Sequence, residues 1–268
     1  SFRRSSSAPY PSLTPSHFTM SELLHFTKRG QGDPLMLIMG LGADGSVWEE
    51  HVKAYEQHFT CYLIDNRGIG QSPITAGPYT TAMMADDVAA LMDAEGIAKA
   101  HVAGLSMGGT IAQELALRHP AKVDRLVFVS TWAKCDPYMK RVFGHFKDMR
   151  AKVGLDEFMQ LLLLWIWTPA WMGEHDDDMT QACRDAAANE TPQPQVGFEG
   201  QCDACISHDA VDRLGQERVD VRNFDCRDIA STIKGSELQL FTKSGHVHHW
   251  EELAAFNQAT THFLLGNE

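Results

Sequence analysis

The stretch Ala103-Gly104-Leu105-Ser106-Met107-Gly108-Gly109-Thr110 decides the fold. An apolar run stops at a serine with glycine two positions away on either side, and a helical pattern continues from Thr110 to Arg118. A strand that turns at once into a helix forces its turning residue into strained backbone geometry, and glycines leave the room such a turn needs. A serine at that point stands out from the sheet, open to substrate and to a histidine base. The Met107 amide, in the first turn of the helix, points towards developing negative charge. Gly-x-Ser-x-Gly also occurs in plain loops, so its surroundings matter. Here His101-Val102-Ala103 reads as a short strand before it, and Thr110 to Leu117 is helically periodic and closed by His119-Pro120.

Upstream, Leu35 to Met39 reads as a buried strand ending in Gly40-Leu41-Gly42-Ala43-Asp44-Gly45. A glycine-rich loop directly after a central strand lets backbone N–H groups face a ligand. Beside the elbow it reads as the second half of an oxyanion hole, with the Leu41 amide as donor and Gly40 against the substrate. Cys61 to Ile64 is another buried strand, followed by Asp65 to Pro73, where Asp65 and Arg67 read as a buried pair holding a tight loop in shape. Thr80 to Ala94 repeats Met84, Val88, Leu91 and Met92 at helical spacing, and Leu126 to Ser130 is the next strand. Alternating helices with nearly all-apolar strands implies an α/β fold with a mostly parallel, doubly wound sheet covered on both faces. Sites in such sheets lie outside the carboxyl ends of the strands.

From Trp132 to Gly215 the strand pattern vanishes and helical, aromatic-rich sequence takes over. The expected division is a core of residues 20–131 and 216–268 with a helical cap at 132–215, whose Trp165, Trp167 and Trp171 would line an apolar acyl or ring pocket. Glu237 to Thr242 resumes the sheet and leads into Lys243-Ser244-Gly245-His246-Val247-His248-His249-Trp250-Glu251. A histidine just past the last strand is placed to reach back to the elbow serine, and His246 is the expected base, ahead of His248 and His249. A metal site is the weaker reading of this tract, because no carboxylate stands at ligand spacing. Phe256 to Leu265 closes the chain as a helix.

Composition narrows the classes. A formal net charge of −12 without a basic cluster argues against nucleic acid and anionic membranes as partners. The longest apolar run, Leu161 to Trp167, falls short of the roughly 20 residues a bilayer span requires. Six scattered cysteines, with Cys202 and Cys205 as a lone C-x-x-C, fit reduced thiols in a cytoplasmic protein. No metal or cofactor is expected, and nothing decides between a monomer and a homo-oligomer. Residues 1–19 are rich in Ser and Pro and lack the apolar core of a secretory signal. They read as a poorly ordered extension, vector-derived or left from an organelle-targeting segment, ahead of a start at Met20.

With elbow, glycine loop and late histidine in place, the chain resembles the α/β-hydrolase family, in particular its small cap-bearing esterase and lactonase branch. The resemblance spans about Ser21 to Gly266 and is most specific at Gly104 to Gly109, Asp65 to Ser72, and Gly245-His246. The family's oxyanion loop usually opens His-Gly; here it is Met39-Gly40, which keeps the backbone donors. The family also carries its catalytic acid at the end of a strand after the cap. In this chain Leu214 to Val219 runs almost directly into Asp220-Val221-Arg222-Asn223-Phe224-Asp225, with no apolar strand of normal length. Asp220 best matches the acid, followed by Asp225 and then Asp136. The resemblance implies a serine hydrolase that cleaves a small carboxylic ester or lactone with an apolar acyl part through an acyl-enzyme. The alternatives are a C–C-bond hydrolase, a hydroxynitrile-lyase-type enzyme, and a non-catalytic small-molecule-binding protein on the same fold.

Overall fold

The structure, a computed structural model, describes residues 23–215 and 219–267; the extension expected at 1–19 lies outside the described residues. Five parallel strands carry the core: β2 (Asp33–Ile38), β3 (Phe59–Ile64), β4 (Ala100–Leu105), β5 (Val123–Val129) and β6 (Asp220–Phe224). At one edge β1 (Phe26–Gly30) pairs antiparallel with β3, and at the other β7 (Glu237–Gln239) pairs parallel with β6. The order across the sheet is β1-β3-β2-β4-β5-β6-β7. The crossover from β3 to β4 passes β2, so the chain reverses its direction of winding there. The loops after β2 and β4 therefore open side by side at the carboxyl edge, where ligands bind in sheets of this kind.

Before the cap, the chain forms α1 (Glu49–Tyr55), α2 (Thr81–Ala94) and α3 (Met107–Arg118). Between β5 and β6 come α4 (Pro137–Arg150), α5 (Leu155–Ile166), α6 (Pro169–Glu174), α7 (Asp176–Ala188) and α8 (Gln195–Ser207). The last part adds α9 (Arg227–Thr232), α10 (His248–Glu251) and α11 (Leu253–Leu265). Because strand side chains alternate, each central strand feeds two apolar layers. Met36, Ile38, Val102, Leu126 and Phe128 meet Met84, Val88, Ile111 and Leu115 of α2 and α3. Leu35, Leu37, Ala103, Val127 and Val129 join Trp48 and Val52 on one side and Phe256 and Leu264 of α11 on the other. Burial on both faces is why these strands read as continuous apolar runs. Among the described residues no helix is long and apolar enough to cross a membrane, and all six cysteines are unbonded and buried.

Where the sequence shows no apolar strand of normal length, a short polar strand forms. β6 is built from Asp220-Val221-Arg222-Asn223-Phe224 and held in register on β5, Arg125 opposite Asp220 and Val129 opposite Phe224. Its polar residues find partial partners: the Asn223 side-chain amide donates to Glu237 O (3.1 Å), and Arg222 reaches Gln239 Oε1 (2.7 Å) and the Glu237 carboxylate. Asn223 Oδ1 and Arg222 Nε are buried without a partner. β7 stops at Gln239, three residues before the expected end of that strand. β1 has no apolar signal and is an antiparallel edge strand on β3, with Gly30 and Gly32 turning the chain at φ 76° and 116° on the way to β2.

Candidate active site

Ser106 joins β4 to α3 with φ 55° and ψ −119°. A non-glycine residue in such a conformation stores on the order of 1–3 kcal/mol, so its surroundings must hold it. The Ser106 amide donates to Val129 O (2.8 Å), while its carbonyl accepts from Thr131 Oγ1 (2.7 Å) and Gly109 N (3.0 Å). The turn closes only without side chains at its flanks. A Cβ on Gly104 would lie 2.3 Å from Gly108 O, and one on Gly108 2.1 Å from Ile38 O.

The glycine loop lies against this serine. A Cβ on Gly40 would fall 3.2 Å from Ser106 Cβ and 3.7 Å from its Oγ, so the Gly40-Leu41 backbone passes beside the hydroxyl. The buried Asn66 side-chain amide donates to Met39 O (2.8 Å) and fixes where that loop begins. Met107 is the first residue of α3, so its amide has no partner one turn back in the helix. The two expected oxyanion donors, Leu41 and Met107, thus lie on the two backbone segments that flank Ser106.

The histidine loop is tied to the end of β5. Ser130, directly after the strand and itself at φ 46°, donates through Oγ to His246 O (2.7 Å). His246 is half-buried, and burial pushes its pKa down to about 4. It is therefore neutral near pH 7, the state a general base needs. Since the Ser130 hydroxyl proton goes to that carbonyl, Ser130 can only accept from His248 Nδ1 (3.1 Å). Nδ1 of His248 therefore carries a proton, and Asp225 Oδ2 lies 3.2 Å from that nitrogen. The His248 ring is fully buried, stacks on Phe241 at 4.9 Å, and has no partner at Nε2. Burial, and then the neighbouring His246, hold its pKa well below the ordinary value.

Asp225 follows β6 at the carboxyl edge, with φ 56°, and both its oxygens accept from Phe241 N at 3.2 Å. Burial raises its pKa, opposed by the Phe241 amide and the Arg227 charge. The first-choice acid is corrected by this placement. Asp220 begins β6 at the amino edge, its side chain 75% exposed and paired to Arg125 at 3.7 Å, about 16 Å of extended strand from Asp225. Asp136 is a helix cap, accepting from Met139 N at 2.7 Å.

Other expected residues spread out. Trp165 is 43% exposed and packs on Phe146 and on the exposed Tyr138. Trp167 and Trp171 stack on each other at 5.3 Å, and Trp171 on His175 at 3.8 Å. They flank Thr168, where the cap grips the histidine loop: Glu251 accepts from Thr168 N (3.2 Å), Thr168 Oγ1 (2.7 Å) and Gly245 N (3.0 Å). Asp65 and Arg67 do not pair with each other. Asp65 takes His25 Nδ1 (2.9 Å) and the amides of Gly45 and Gln71 (3.0 Å each), while Arg67 binds Asp87 through both arms at 2.5 Å. Asn66, Ser130, Gln201 and Glu251 carry no signal that local pattern detects, since their partners lie far away in sequence.

Residues 33–155 match the family described as alpha/beta hydrolase fold. A relative from Agrobacterium fabrum named carbamate hydrolase RutD is 30% identical over 261 residues, covering 90% of this chain and 98% of its own. This chain belongs to the α/β-hydrolase family. Among solved α/β hydrolases, the enol-lactonase from Burkholderia xenovorans LB400 superposes with a TM-score of 0.82 at 26% identity, over 90% of this chain and 96% of that one. A hydrolase from Pseudomonas aeruginosa PA01 gives 0.81 at 25% identity, over 90% and 94%. The family match ends at residue 155. It covers the elbow and the glycine loop of this α/β hydrolase, but neither Asp225 nor His246.

Proposed function

We propose that this α/β hydrolase cleaves a carboxylic ester or lactone with an apolar acyl part, through an acyl-enzyme on Ser106. The carrying observation is Ser106 at φ 55° with the Gly40-Leu41 backbone packed beside its hydroxyl. Ser106 Oγ attacks the carbonyl carbon and His246 takes its proton. The Leu41 and Met107 amides hold the oxyanion, and the imidazolium returns the proton to the departing alkoxide. Water then attacks the acyl carbon, losing its proton to His246, and the serine is regenerated. His248 is shut among Phe224, Phe241 and Phe256. It serves instead to carry the Asp225 charge to the histidine loop. The enol-lactonase neighbour supports the lactone reading, and the relatives named for carbamates place an acyl carbon bearing nitrogen in the same test panel.

A second reading, a non-catalytic binder on this fold, draws on Asp225 meeting His248 rather than His246. A fluorophosphonate probe separates the two. Prompt labelling that is lost in Ser106→Ala and His246→Ala is the expected result. A folded wild type left unlabelled, or His246→Ala labelled at the wild-type rate, overturns the hydrolase mechanism. Turnover of short-chain esters, γ-lactones and carbamates by the labelled protein then ranks the substrates.

A further inference from the structure

We infer that Gln201 is a positioning residue for the oxyanion loop, fixing from the last cap helix the backbone that presents the Leu41 amide. The inference rests on the serine-hydrolase reading above. Gln201 lies in the middle of α8 and is fully buried, an uncommon site for a neutral amide unless its hydrogen bonds are needed. Its Oε1 accepts from Gly42 N (3.0 Å), and its Nε2 donates to Arg67 O (3.0 Å). A second amide orients it: Gln193 Nε2 donates both to Gln201 Oε1 (3.1 Å) and to Gly68 O (2.9 Å).

The consequence for the loop follows from peptide planarity. Holding the Gly42 N–H on Gln201 fixes the plane of the Leu41-Gly42 peptide, and with it one of the two torsions that flank Leu41. Two residues upstream, Asn66 holds Met39 O. The Gly40-Leu41 segment is thus pinned at both ends by buried side-chain amides, with Ser106 alongside. Gly42 stands at φ 74°, and a Cβ there would meet the Phe198 ring at 3.4 Å, so α8 also shapes the loop by contact. The helix comes this close because Gly197 lies on Gly68, where a Cβ would be 2.1 Å from Gly68 O. An oxyanion donor works only when aimed before the reaction, since its benefit is preorganisation. Substrate packing that shifts α8 would be felt at the donor through this side chain and the Phe198 contact beside it.

Two variants test the role. Gln201→Met keeps the volume and removes all three of its side-chain hydrogen bonds. It is expected to lower kcat about 10- to 100-fold, part of the 10²–10³ lost with a whole donor, with KM held within about twofold. A trifluoromethyl ketone, whose tetrahedral adduct puts an oxyanion in the hole, should lose affinity in the same proportion. Gln201→Glu supplies the rescue: protonated, its carboxyl accepts from Gly42 N and donates to Arg67 O as the amide does, whereas ionised it repels that carbonyl. Its kcat relative to wild type should therefore rise towards one at the acidic end of the range in which both proteins stay folded, and fall as pH rises through the introduced carboxyl's pKa. Near-UV circular dichroism checks the fold of both, and if Gln201→Met does not fold, the pH dependence of Gln201→Glu decides. A folded Gln201→Met with wild-type kcat and ketone affinity, or a Gln201→Glu ratio flat with pH, overturns the inference alone. A wild type inert to the fluorophosphonate overturns the function reading and this one with it.

Discussion

Asp220 and Asp225 are the same residue type at opposite ends of one strand, Asp220 its first residue and Asp225 the residue just past it, and their difference is entirely one of place. Asp225 follows β6 at the edge where Ser106 and Ser130 follow β4 and β5, half-buried, with the Phe241 amide on its oxygens and His248 Nδ1 3.2 Å away. Asp220 begins the strand, exposed beside Arg125. Asp225→Asn keeps the shape but removes the charge that orders the histidine loop. It is expected to lower kcat on the order of 10²-fold, less than the roughly 10⁴ lost when an acid bonded directly to the base is neutralised. Asp220→Asn should leave kcat within about twofold. Steady-state hydrolysis of a short-chain ester checks both, and equal effects at the two positions would remove Asp225 from the mechanism. The elbow around Ser106 was legible because its requirement is local: glycines at fixed offsets make room for one strained residue. Which aspartate reaches that edge was not, because it depends on which residue of β6 meets Val129 across the sheet, and register is a long-range property.

The same division holds at the level of elements. β2 to β5 could be read from sequence because burial on both faces makes them unbroken apolar runs. β6 could not, since Arg222 and Asn223 obey neither the buried nor the alternating pattern and hold the strand through side-chain bonds to β7, which was expected from Glu237 and does begin there. The His246 loop shows how two distant elements share one task. Val247 N donates to Ile166 O (3.3 Å) at the end of α5, and Glu251 collects Thr168 and Gly245 (2.7–3.2 Å), so the helices between β5 and β6 and the His246 loop are joined at several points. A Cβ on Gly245 would sit 2.9 Å from Ile166 O, which leaves no slack in that contact. Glu251→Ala strands two amides and a hydroxyl, each worth about 1–3 kcal/mol if left unpaired, although water can reach part of this region. The expected outcome is a lower Tm together with a roughly tenfold loss in kcat/KM, while Glu251→Gln, which keeps acceptor oxygen for the amides, recovers most of both. Differential scanning calorimetry beside ester kinetics tests this, and a Glu251→Ala enzyme with unchanged kcat/KM would show that the cap does not set the base.

At the scale of the whole molecule, the sheet is sealed by helices on both faces, and that seal encloses imidazoles as well as hydrocarbon. His51 and His208 are 0% and 3% exposed, and burial pushes each down to about 4. Both are bonded as neutral rings. His208 lies between Thr81 Oγ1 (2.9 Å) and Gln113 Oε1 (3.2 Å), and His51 donates to Asn257 Oδ1 (2.8 Å). His248 and His249 are shifted in the same direction by burial. In the unfolded chain each would titrate near 6.5. Above that pH both states are neutral and stability does not depend on these groups. As pH falls from 6.5 towards 4 the unfolded chain takes up protons that the folded one refuses, so stability falls with falling pH. A depression from 6.5 to about 4 is worth on the order of 3 kcal/mol per ring once pH is below both values. His51 and His208 alone then remove a large part of a domain stability that is usually about 5–15 kcal/mol, and His248 and His249 add to the loss. Cooperative unfolding is therefore expected on acidification, with urea midpoints constant from about pH 8 to 7 and falling steeply between about 6 and 4. A urea midpoint that stays level from pH 7 to 4.5 would show that these rings are solvated or charged in the folded protein, and that the layer beneath the histidine loop is not sealed.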